Sequence, residues 1–74
     1  MTTINSVYVR TQNIFVSVTI PFETSKATAV NEVITELITN YGIDETKVSF
    51  QQLIVEDYYS QAGSNYTIVY NHYI

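Results

Sequence analysis

His72 is the only imidazole in this 74-residue chain, and there is no cysteine. Those two facts remove most of the chemistry a small protein performs with side chains. A serine or threonine nucleophile needs an adjacent base to take its proton. His72 would have to be that base, and a lone strand histidine is read instead as a polar surface or interface residue. Without thiolates and with one imidazole, neither a disulfide nor a Cys- or His-rich metal centre can be built. Glu56 and Asp57 are adjacent, but successive side chains on a strand point to opposite faces and do not converge on one substrate or metal. Asp44 and Glu45 fall in a turn and read as solvated turn residues. Gly42 and Gly63 are the only glycines, too few for a phosphate-cradling loop. The expectation is a non-enzyme with no catalytic residue, no metal and no cofactor.

The remaining candidates are aromatic. Of seven tyrosines, five lie in "EDYYSQAGSNYTIVYNHY", residues 56–73. A phenol combines a large apolar ring with a hydroxyl that can stay wet or find a partner, which suits an interface. Tyr8, Phe15, Tyr58, Tyr59, Tyr66, Tyr70 and Tyr73 are therefore expected to form a protein-interaction surface. Aromatic residues are also ordinary strand formers, so several of them could simply cover a small core. In a second class of function, a pocket at an oligomer interface would bind a small ligand or nucleotide. Its tyrosine rings would stack on the ligand, with Arg10 or Lys47 meeting its anion.

Three basic residues against seven acidic ones give a net charge of −4. Phosphate is repelled by that balance, and Arg10, Lys26 and Lys47 are scattered, so direct nucleic-acid binding is disfavoured. Glu32 and Glu36, with Glu23, could imitate nucleic acid toward a basic partner; a solvated helix face accounts for them equally well. No window approaches the roughly 20 apolar residues of a membrane span, and "MTTINSVYVR" lacks the basic and apolar segments of a leader, so an intracellular protein is expected. A mature chain whose leader had been removed would read the same way. "NYT" at residues 65–67 matches a glycosylation sequon, which carries little weight without a leader.

Hydrophobic periodicity supplies the elements. In "SVYVRTQNIFVSVTI", residues 6–20, Val7 and Val9 alternate with Tyr8 and Arg10. Ile14, Val16, Val18 and Ile20 form one apolar face around Phe15, Ser17 and Thr19, and "RTQN" turns the hairpin. Pro21 ends the second strand. Ala27, Val30, Val33, Ile34, Leu37, Ile38 and Tyr41 recur three or four apart, the stripe of an amphipathic helix capped by Thr24 or Ser25 and stopped at Gly42. In "KVSFQQLIVEDYY" the apolar phase slips after Gln51 and Gln52. Either the strand bulges there, or Leu53, Ile54 and Val55 are covered on both faces. "SQAGSN" reads as a loop and "YTIVYNHYI" as a last strand.

The order β-β-α-β-β predicts an α+β fold, a four-stranded antiparallel sheet with one helix packed on one face, in a single domain spanning residues 1–74. A chain this short buries only about 60% of the surface its unfolded form exposes. Self-association is thus the expected supplement to a small core. The expected function is a small noncatalytic protein-interaction module, binding itself and another protein through the uncovered sheet face and the strand edges. Such a profile also fits the accessory inhibitors that viruses and mobile elements encode.

Overall fold

The computed structural model describes residues 1–73, apart from the side chains of Tyr58 and Tyr59. Strands β1 (Thr3–Val9) and β2 (Asn13–Ile20) form a hairpin, helix α1 (Lys26–Tyr41) and a short 3-10 turn (Glu45–Lys47) follow, and β3 (Val48–Ser60) and β4 (Gly63–His72) form a second hairpin. All four strands lie in one antiparallel sheet of order β1-β2-β4-β3. The expected α+β architecture is the observed one. Because β4 is inserted between β2 and β3 and runs against both, β2 and β3 are parallel to each other. The crossover between them is α1, as parallel strands require. No helix among the described residues is long and apolar enough to cross a membrane.

The core follows the periods of its two elements. Ile14, Val16, Val18 and Ile20 of β2 are all buried, and Ala29, Val33 and Leu37 of α1 pack against them with Ile68 and Tyr70 of β4 and Val48 of β3. Ser25 caps the helix by accepting from the Thr28 amide at 3.1 Å. At its other end Gly42 adopts φ 68°, and the amides of Gly42 and Ile43 both donate to the Leu37 carbonyl. Three members of the expected stripe lie outside the core: Ala27 and Tyr41 are exposed at the two ends of the helix, and Ile38 is half-buried outside the core cluster. Conversely, Glu32 is half-buried and accepts from the Thr2 hydroxyl at 2.8 Å, so it is not a purely outward carboxylate.

Strand boundaries differ from the expectation in two places. β1 begins at Thr3 rather than Ser6 and carries a register shift between Ile4 and Ser6. The "SQAGSN" stretch is a tight turn at Gln61 and Ala62, with both strands running into it. The expected bulge in β3 lies between Phe50 and Gln52, and a second irregularity follows between Val55 and Tyr59.

One helix cannot cover four strands. Strands spaced about 4.8 Å apart span roughly 14 Å between the outer axes, more than the ~10 Å width of a helix. Burial is accordingly concentrated on β2 and β4, and the flanks of the sheet stay partly open. The face away from the helix manages without a cover because cross-strand polar pairs coat it. Asn5 donates to Thr19, Thr19 to Asn65, Asn13 to Gln51, Asn71 to Ser49 and Thr67 to Glu56, at 2.6 to 3.3 Å. Val69, opposite Phe15 and Gln52 in the register, is the buried apolar residue of that face.

Candidate functional site

The aromatic surface expected from the sequence is divided by the pleat. Tyr8 and Phe15 face each other across β1 and β2 on the uncovered side, with ring centroids 6.4 Å apart in a stacked arrangement. Tyr66 and Tyr70 point to the helix side instead. Tyr70 is 0% exposed and its hydroxyl donates to the Val30 carbonyl at 2.8 Å, so it belongs to the core and not to an interaction surface. Burial pushes its phenol well above the ordinary tyrosine pKa. Tyr66 is half-buried against the core, with the Lys26 ammonium 5.7 Å from its ring centroid. Tyr73 is exposed just beyond β4, its amide donating to the Lys47 carbonyl at 2.8 Å. The side chains of Tyr58 and Tyr59 lie outside the described residues.

Elsewhere polar groups that could do chemistry have local tasks. His72 Nδ1 lies 2.8 Å from the Arg10 carbonyl, and the His72 amide donates to Gln12, so the residue ties the β1–β2 turn to β4. Asp44 caps the 3-10 turn. Its carboxylate accepts from the hydroxyl and the amide of Thr46 at 2.7 and 2.9 Å, which holds its pKa below the ordinary carboxylate value. Asn65 of the sequon is buried and accepts from Thr19. Arg10 sits 5.7 Å from the Tyr8 ring, while Lys47 lies at the start of β3, away from that pair in the sheet order.

The surface with the strongest claim to a partner is the outer edge of β3. At 13 residues it is the longest strand, and it lies at the edge of the sheet. From Val48 to Val55 it contains no charged residue and no proline, two of the devices that discourage an edge from pairing with another strand; a third, the bulge, falls between Phe50 and Gln52 and leaves Gln52 to Val55 in unbroken register. Apolar side chains project from both of its faces. Phe50 and Val55, on the helix side, are 47% and 65% exposed, and Ile54, on the other side, is 41% exposed. Phe50 leans edge-on to the Tyr70 ring at 6.3 Å. Between β3 and the helix runs a groove of about 400 Å³ lined by Lys26, Ala27, Val30, Asn31, Phe50 and Leu53.

These residues lie outside the tyrosine cluster that dominates the sequence, yet they carry a signal of their own. For Leu53, Ile54 and Val55, a strand segment covered on both faces is the sequence's alternative to a bulge. The fold bulges the strand before them and then leaves them at the edge, where Ile54 and Val55 are exposed among the described residues. The chain matches no protein-family model, no curated protein and no solved structure.

Proposed function

We propose that this protein is a noncatalytic interaction module that binds polypeptide by adding a strand to the outer edge of β3. The observation that carries this is the coincidence, on one edge strand, of an uncharged stretch with exposed apolar side chains and an apolar groove running beside it; β1, the other edge, shares the first two features over a shorter strand. Main-chain hydrogen bonds to an edge supply affinity without regard to sequence, and side-chain pockets beside it supply selectivity. Here the groove against α1 takes the second role, through Phe50, Leu53 and Val30. The polar ladder on the uncovered face satisfies its own hydrogen-bonding groups and leaves that face the weaker candidate.

Val55→Lys tests this, since Val55 is exposed and the substitution puts a charge on the edge without emptying the core. Immobilised wild-type protein, the Val55→Lys variant and a Tyr8→Ser variant would be compared for proteins retained from cells that express the chain. Strand addition at β3 predicts loss of the retained proteins with Val55→Lys and their persistence with Tyr8→Ser. The opposite pattern would move the site to the uncovered face and reject the β3 edge.

A further inference from the structure

We infer that the strand received by the β3 edge is the β3 strand of a second copy, paired antiparallel about a two-fold axis through Ile54, so that two four-stranded sheets become one of eight. The inference rests on the strand-addition reading above and names its partner.

The pattern of β3 selects both the partner and the register. Opposed residues of an antiparallel pair lie on the same face of the sheet. Beyond the bulge, Leu53 and Val55 lie on the helix side, opposite Ile68 and Tyr66 of β4. Gln52 and Ile54 lie on the other side, opposite Val69 and Thr67. Glu56 shares that second side, its carboxylate accepting from Thr67 at 2.6 Å. With the axis at Ile54, Ile54 meets its own copy, Leu53 meets Val55 of the copy on the helix side, and Gln52 meets Glu56 of the copy on the other. Apolar groups then oppose apolar groups, and each carboxylate opposes an amide that can donate to it. Moving the axis one residue toward the C-terminus, to Val55, sets Asp57 against Leu53. Moving it to Glu56 sets the two Glu56 carboxylates against each other, which like charges in a cross-strand pair disfavour.

A second copy also resolves the contrast between the sequence and the edge. The Leu53-Ile54-Val55 run has the composition of a strand flanked on both sides, and pairing with itself makes β3 an interior strand. Both copies then bring Phe50, Leu53 and Val55 to the same side as Ala27 and Val30 of their helices, where the groove lies. An isologous contact of this kind closes after two copies. It leaves β1 as the only edge of each protomer.

Edge pairing with a small apolar flank belongs at the lower end of interface sizes, so a reversible dimer is expected, to be followed by sedimentation equilibrium from about 10 to 500 μM. Wild-type protein should pass from monomer to dimer mass over that range. Ile54→Lys and Ile54→Glu should each raise the dimer dissociation constant by about tenfold or more, because each places like charges opposite each other on the axis. Circular dichroism of each variant should match the wild type, since Ile54 lies outside the core cluster. An equimolar mixture of the two variants should recover the dimer, as Lys then faces Glu. A wild-type chain that stays monomeric at 500 μM overturns the self-pairing while leaving strand addition to another protein standing. A dimer indifferent to both variants, or variants whose mixture fails to reassociate, overturns the Ile54 axis.

Discussion

Tyr70 shows how one residue can change its meaning when its neighbours are known. In the sequence it is one of a cluster of interface-like phenols; in the fold it is a core ring whose hydroxyl finds a backbone carbonyl on the helix. A buried hydroxyl with a partner contributes on the order of 1 kcal/mol, and removing it leaves the Val30 carbonyl its intrahelical bond. Tyr70→Phe should therefore cost about 1 kcal/mol near neutral pH. Its pH dependence is more diagnostic. Burial raises the folded-state pKa above the ordinary value, so the neutral phenol is favoured in the folded protein. Below about pH 10 both states hold the proton, and this contribution is constant. Above it the unfolded chain loses the proton first, and the folded state loses stability by up to about 1.4 kcal/mol per pH unit. Urea unfolding of wild type and Tyr70→Phe between about pH 8 and 11 should show the wild-type advantage shrinking and then reversing. Parallel curves would place Tyr70 in contact with water.

At the scale of elements, the two glycines do different work. Gly42 ends the helix in the left-handed region, where an added Cβ would meet nothing within 4 Å. Gly63 opens β4 with φ 153°, and a Cβ there would lie 2.0 Å from the Ile20 carbonyl oxygen and 2.9 Å from Pro21 Cα. Gly42→Ala should thus cost about 1 kcal/mol of backbone strain. Gly63→Ala should cost about 3 kcal/mol or more, because the end of β2 and the start of β4 must separate to admit it. Thermal or urea unfolding of the pair measures the contrast; equal losses would mean that the end of β2 and the start of β4 separate readily.

For the molecule as a whole, the balance between one helix and four strands sets both stability and function. Leu37 is fully buried at the centre of the helix stripe, and Leu37→Ala should cost about 2–5 kcal/mol. Total stabilities run about 0.05–0.15 kcal/mol per residue, so a loss of that size takes much of what a domain this small possesses. Denaturant unfolding at fixed protein concentration would measure it. A loss below about 0.5 kcal/mol, the range of ordinary surface changes, would remove Leu37 from the core. The same geometry leaves the β3 flank open: α1, at about 24 Å long and about 10 Å wide, is spent on β2 and β4.

Local pattern carried a large part of this fold. The strict alternation from Ile14 to Ile20, the three-and-four spacing from Val30 to Ile38, the stop at Gly42 and the phase slip at Gln51 and Gln52 are each settled by neighbours within a few residues. The element order and the bulge were legible for that reason. Sheet order was not, because pairing joins segments far apart in the chain, and with β4 inserted between β2 and β3 it is β3 that becomes an edge. The identity of the candidate site followed the same division. Tyr66 and Tyr70 are chemically interchangeable with Tyr8 and Tyr73 in the sequence, and the pleat and the helix alone separate buried rings from exposed ones. For Leu53, Ile54 and Val55 the sequence offered a bulge before them or cover on both sides, and the bulge is the one observed. Only the tertiary arrangement shows that one protomer does not supply that cover, since a single helix is narrower than the sheet it must shield.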